Sequence, residues 1–213
     1  MNALQKIDEG LDGSYPGGKS GSGVYQRLIN LIPRHRILIV PFAGRCGVTR
    51  NIRAAEHTIV IDADPAVCEW WASWRRSKRG RDLEIHHCDG IEWLRYRMNG
   101  TEYSASESRD ARANLAVSRK SSAVPAVMAI AAKDSVAAAE LSVTADAFIF
   151  CDPPYVLSER AHGKLYACEM TDADHLRFLQ VVTAIHAAGS AIMVCGYTSP
   201  LYAALDPWRK IDH

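Results

Sequence analysis

The sequence has no excess of charge of either sign: 25 lysines and arginines face 24 acidic residues, a formal net charge of +1. Attraction of a polyanion by bulk charge is thereby excluded, and any nucleic-acid surface has to come from local clustering. Paired cysteines are missing too. Cys46, Cys68, Cys88, Cys151, Cys168 and Cys195 are scattered, mostly inside apolar runs, with no Cys-x-x-Cys pair. They read as small core residues of a reduced, cytoplasmic protein and not as a disulfide framework. The stretch Met1 to Gly10 holds Lys6, Asp8 and Glu9 and no apolar block, so neither a signal peptide nor a membrane partner is expected. His86, His87 and Cys88 are of metal-ligating types. Neighbours on a strand face opposite ways, however, and no second ligand pair is visible, so no metal is expected.

What is present is an apolar content of 48% over 213 residues, enough for one substantial core and read as a single domain spanning 1–213. The most informative stretch is Ala147-Phe-Ile-Phe-Cys-Asp-Pro-Pro-Tyr155. Five apolar residues without interruption suit a central parallel strand covered on both faces. Pro153 and Pro154 lack the amide donor that a ladder needs, so the strand ends there and leaves Asp152 at the carboxyl edge of the sheet. Ligands of open α/β sheets bind at that edge. Asp152 offers an acceptor-only carboxylate, Pro153 a carbonyl and Tyr155 an aromatic face, a set suited to a flat ring bearing an amino group. The plainer alternative is a proline-terminated strand with a packed tyrosine.

Strands are also expected at Ile37–Val40, Thr58–Ile61, Leu83–Cys88 and Ala191–Cys195. Helices are expected at Val24–Leu31, after Asp64-Pro65 with Val67, Trp70, Trp71 and Trp74 as its buried stripe, and after Thr171 with Leu176, Leu179, Val182 and Ile185. A glycine turn, Phe42-Ala43-Gly44, follows the first strand, where a cofactor can lie across the strand end. Asp62 ends the second strand, placed to accept hydrogen bonds from a ribose diol, while Asp64 reads as a helix cap. Gly13 to Ser20 matches the phosphate-binding pattern G-x-x-x-x-G-K-S, but no apolar strand precedes it, which disfavours a P-loop. The cluster Arg75, Arg76, Lys78, Arg79 and Arg81 reads as a solvated helix end.

Asp152-Pro153-Pro154-Tyr155, the segment Tyr15-Pro-Gly17-Gly18-Lys19, the Phe42-Ala43-Gly44 turn and the strand-tip acids Asp62 and Asp89 resemble, in this order, the Dam-like DNA adenine N6-methyltransferases. The resemblance implies an α/β fold: a Rossmann-like methyltransferase sheet with helices on both faces. It implies S-adenosylmethionine as cofactor, DNA as partner, and methyl transfer to N6 of an adenine flipped out of the duplex. Catalytic roles would fall to Asp152, Pro153, Pro154 and Tyr155. Donor binding would fall to Tyr15, Gly17, Gly18, Lys19, Phe42, Ala43, Gly44, Asp62, Asp89 and Asp152, with Asp89 at the donor's adenine amino group and Lys19 meeting a carboxylate of the ligand or of the site. The interval 99–144 would hold target recognition, with Arg95 and Arg97 just before it and Arg109, Arg112, Arg119 and Lys120 within it available for phosphate or guanine contacts. The family pattern has an acid where Val40 stands and a glycine where Cys46 stands. His213 comes before the antiparallel strand pair that usually finishes such sheets, so a sheet without that pair is expected. The rival readings are a methyltransferase of RNA adenine or of cytosine N4, a catalytically impaired homologue that binds donor or DNA, and a nucleoside-triphosphate hydrolase using Gly13 to Ser20.

Overall fold

The computed structural model describes Lys19 and residues 23–77, 82–98, 100, 146–161 and 163–211. Tyr15, Gly17, Gly18, the rest of the Gly13 to Ser20 match (Lys19 excepted), Lys78, Arg79 and Arg81, and the candidate recognition interval apart from Gly100 lie outside the described residues.

Helix α1 (Val24–Leu31) leads into strand β1 (Ile37–Val40), followed by the short α2 (Gly47–Asn51) and β2 (His57–Asp62). Then come α3 (Pro65–Ser77), β3 (Leu83–His87), α4 (Gly90–Met98), β4 (Ala147–Cys151), α5 (Asp172–Ala187) and β5 (Ala191–Val194). Short 3-10 helices stand at Leu157–Glu159 and Pro200–Leu205. Among the described residues the five strands form one sheet in the order β3-β2-β1-β4-β5, every pairing parallel. This is an α/β fold with helices on both faces, as the alternation of apolar runs and helical stripes requires.

The two faces can be read off the pleat. Leu38 and Val40 of β1, Val60 of β2 and Phe148 and Phe150 of β4 join the core packed by α1, α2 and α3, where Leu28, Val48, Trp70, Trp71 and Trp74 are buried. Their neighbours Ile39, Ile59, Ile61, Ala147, Ile149 and Cys151 point the other way, into the core built by α4 and α5 around Trp93, Leu94, Phe178 and Val182. The three tryptophans of α3 stack edge-to-face, with centroids 5.1 and 5.2 Å apart, so their expected role as a core stripe holds. Helix α5 begins with a capping box: the Thr171 hydroxyl accepts from the Asp174 amide, and the Asp174 carboxylate accepts from the Thr171 amide at 2.8 Å. Its buried stripe is His175, Phe178, Leu179, Val182 and Ile185; Leu176, expected in that stripe, is 49% exposed because it stands one position round the helix from it.

Strand β3 is an edge, and on its α4 face it carries a polar ladder. His57 Nδ1 lies 2.6 Å from Asp82 Oδ2, His57 Nε2 lies 3.0 Å from Glu84 Oε2, and His86 bonds the other Glu84 oxygen. Burial works against the His57 charge, but the bonds to Asp82 and Glu84 outweigh it and raise the imidazole above its ordinary 6.5. Burial likewise opposes the Glu84 charge, and His57 and His86 outweigh it, lowering the carboxyl below 4.5. The signs are opposite. The raised histidine stabilises the fold fully below pH 6.5 and loses that contribution as pH rises through its folded value. The lowered glutamate contributes above pH 4.5 and loses its contribution as pH falls through its folded value. The ladder is therefore worth most between about pH 4.5 and 6.5, and no more than about 1 kcal/mol because its members keep contact with water. In thermal melts, His57→Gln should be most destabilising near the middle of that window and close to neutral at pH 9. An equal loss at every pH would assign His57 a packing role only.

Candidate functional site

Strand order reverses at β1 and β4: β2 and β3 lie on one side of that pair's boundary, β5 on the other. At such a switch point the loops leaving the central strands diverge and open a crevice at the carboxyl edge. The two loops here begin at Pro41 and Asp152.

Asp152 leaves β4 directly because Pro153 cannot extend the ladder. Lys19, 133 positions earlier, donates to both carboxylate oxygens, at 2.8 Å to Oδ1 and 2.7 Å to Oδ2. Each side chain is only 11% exposed, so this pair is poorly screened. The Lys19 ammonium also lies 5.0 Å from the centroid of the Tyr155 ring. Tyr155 in turn meets Tyr197 nearly edge-on, at 4.8 Å and 73°, and Tyr197 is 57% exposed. Burial pushes the Asp152 carboxyl up while Lys19 pulls it down. Burial also works against the Lys19 charge, but Asp152 and Tyr155 overcome it and hold the ammonium well above the ordinary lysine range. By geometry the two form an ion pair, 2.7 Å from Nζ to Oδ2, although burial leaves the Asp152 carboxyl raised on balance. Burial and the neighbouring Asp152 charge raise the Tyr155 hydroxyl, which keeps its proton. The buried thiols Cys46 and Cys195 are raised by burial as well, so neither is poised as a thiolate.

The turn after β1 is fastened to the tip of β2. Gly44 takes φ +45°, a left-handed conformation that a side chain would disfavour. Its amide donates to Asp62 Oδ2 at 2.8 Å, the Asp64 amide donates to Asp62 Oδ1 at 2.8 Å, and Trp71 Nε1 donates to the Gly44 carbonyl at 2.7 Å. Burial raises the Asp62 carboxyl, opposed by those two amides. Ala43 is buried and bonds Ile61 O through its amide at 3.0 Å, and Phe42 packs edge-on against Phe178 of α5 at 5.4 Å. Both departures from the family pattern have a structural reading. Val40 is fully buried in the core under α3, where an acid would be cut off from water, and Cys46 has φ −53°, a conformation open to any residue.

Asp89 is exposed at the end of β3, and its Oδ1 accepts from the amides of Ile91 and Glu92 at 2.8 and 3.0 Å, capping α4. Asp64 caps α3 in the same way, through Ala66 at 2.9 Å. Topology thus brings Asp62, Asp89 and Asp152 to one edge of one sheet, and three strand spacings separate Asp89 from Asp152, about 14 Å. Asp62 and Asp89 each have bonds within the fold that spacing in the sequence does not reveal.

Three further features have no sequence signal of their own. The loop after Tyr155 is folded on itself: Arg160 grips Glu169 with two hydrogen bonds, and Glu169 Oε1 also accepts from the Leu165 and Tyr166 amides at 2.7 and 3.0 Å. Tyr166, held under the Arg160 guanidinium, feels the charges of Asp152 and Lys19. Gly90, at the first turn of α4, lies so close to Pro41 that a Cβ would stand 2.0 Å from the Pro41 carbonyl oxygen.

No protein-family model matches the chain, and no curated protein matches it. Among the described residues no cluster of His, Cys, Asp or Glu is arranged to hold a metal, and no helix is long and apolar enough to cross a membrane.

Proposed function

We propose that the protein transfers a methyl group from S-adenosylmethionine to N6 of adenine in DNA. The observation that carries this reading is Asp152, a carboxylate at the end of β4 beside the switch point, with the Tyr155 side chain as its hydrogen-bonding neighbour. The residues present fit the donor. Asp62 keeps lone pairs after accepting two amides and can take a diol, Gly44 lets a ligand approach the backbone, and Asp89 offers Oδ2 at the rim. Bound there, S-adenosylmethionine would supply an electrophilic methyl group.

The chain's own work is on the acceptor. An exocyclic amino nitrogen is a poor nucleophile because its lone pair is delocalised into the ring. Hydrogen bonds from that group to the Asp152 carboxylate and the Pro153 carbonyl would favour a more pyramidal nitrogen and stabilise the positive charge that develops as the nitrogen–methyl bond forms and the sulfur–methyl bond breaks to a thioether, the extra proton on nitrogen then passing to solvent. Tyr155 stacks on the ring, and the partly exposed Tyr197 walls the opening. Extruding the base costs a few kcal/mol, which stacking against these rings offsets.

The test incubates the protein with methyl-labelled donor and duplex DNA, followed by digestion to nucleosides. Label in N6-methyldeoxyadenosine is expected. Label in cytosine, or in RNA only, would reassign the acceptor, and no label from a folded protein that binds the donor would make it a binding protein.

A further inference from the structure

Lys19 occupies both features that an amino-bearing ring would use. Its ammonium is bonded to both oxygens of Asp152 and lies at 5.0 Å from the Tyr155 centroid, within the 4.5–7 Å over which two stacked rings meet. An acceptor ring on Tyr155 with its amino group on Asp152 competes with that ammonium for the same place. The pair is electrically balanced, and at 11% exposure it has little water to screen it. A second cation arriving at the rim changes that balance, because two positive charges then share one carboxylate. A neutral ligand of the same shape leaves it untouched.

We propose that Lys19 is an internal competitor for Asp152, displaced when a cationic ligand enters the rim, so that the acceptor's amino group gains the carboxylate only after the sulfonium donor has bound. This rests on the methyl-transfer reading and adds to it an order of binding. Lys19 is then a positioning residue: it acts through Asp152, and what it senses is charge. The high proton affinity of the ammonium supports the same picture, since a lysine so held is neither neutral nor reactive while paired. The thioether product left after methyl transfer is neutral, so it favours return of Lys19 to Asp152 and release of the methylated base.

The experiment uses the unmodified protein. It is treated briefly with N-hydroxysuccinimidyl acetate, and acetylation of each lysine is quantified by peptide mass spectrometry, without ligand, with S-adenosylmethionine and with S-adenosylhomocysteine, binding of each being followed by calorimetry. In the free protein Lys19 should react at least roughly tenfold more slowly than the exposed Lys164. Saturating S-adenosylmethionine should raise Lys19 acetylation about fivefold or more, while S-adenosylhomocysteine leaves it unchanged. Acetylation of Lys19 as fast as Lys164 in the free protein overturns the inference. So does a response that is absent, or equal, with both ligands shown to be bound; in that case the methyl-transfer reading survives. If neither ligand binds, the donor reading falls and this inference falls with it.

Discussion

On the proposed methyl-transfer reading, replacing Asp152 by asparagine is expected to reduce transfer by about 10²- to 10³-fold, the scale of removing one preorganised charge-stabilising group from an active site. The amide keeps the size and shape of the carboxylate, so the loss reports charge. Asparagine can still accept one hydrogen bond from the acceptor's amino group, but it cannot balance the positive charge that grows on the nitrogen. The same substitution should destabilise the fold. It strands the Lys19 ammonium, 11% exposed and bonded to both Asp152 oxygens, beside a neutral partner. Breaking a buried pair costs about 3 to 5 kcal/mol, and the residual water contact here places the expected loss at or below the lower end of that range. Activity and stability then separate in a double substitution. Lys19→Met with Asp152→Asn removes both charges and should recover most of the stability while leaving transfer as low as in the single variant. Recovery of transfer in the double variant would mean that Asp152 serves only to neutralise Lys19, and its part in the chemistry would have to be given up.

What was legible in the sequence follows from which forces act locally. The strands at Ile37–Val40 and Ala147–Cys151 coincide with their apolar runs, β3 and β5 end one residue before expectation, and β2 is a residue longer at each end, because burial on both faces of a parallel sheet is written directly into composition. The edge position of Asp152 was equally legible, since two prolines terminate a strand wherever they fall. The helix at Gly90–Met98 was not. Its buried residues Ile91, Trp93 and Leu94 are crowded into one turn, interrupted by Glu92 and followed by Arg95, too short a stripe for periodicity to show. Nor was the division of labour at Asp62 and Asp89, where backbone amides from Gly44, Asp64, Ile91 and Glu92 engage the carboxylates: those partners are set by the path of the turns. Residue types and the family pattern brought Lys19 to the site, with a carboxylate of ligand or protein as its partner, and the structure makes that partner Asp152. A pairing across 133 positions has no local signature.

Gly90→Ala is expected to be the most damaging single-methyl change in the fold. The added Cβ would stand 2.0 Å from the Pro41 carbonyl oxygen and 2.9 Å from its carbon, both backbone atoms with no rotamer to escape into. Relief requires moving either the first turn of α4 or the segment leaving β1, and both are tied elsewhere. Asp89 caps α4 through Ile91 and Glu92, and the Pro41 segment runs into the Gly44 turn held by Asp62 and Trp71. Overpacking of a well-packed interior costs about 1 to 3 kcal/mol, and a clash with rigid backbone belongs at the upper end or above. For a chain of 213 residues a loss of about 3 kcal/mol lowers the melting temperature by roughly 6 to 12 °C. Gly163→Ala is the matched control, since a Cβ there meets nothing within 4 Å and should shift the melt hardly at all. The strain also falls on the rim itself, because Pro41 and Gly90 stand directly beside Phe42 and Asp89. On the proposed reading, donor affinity in Gly90→Ala should therefore drop even at temperatures where the variant is folded, by about tenfold if the turn moves by the few tenths of an ångström that a tightly packed neighbour can yield. A variant that melts early yet binds the donor as the wild type does would show that the α4 side yields and that the β1 turn stays where Asp62 holds it.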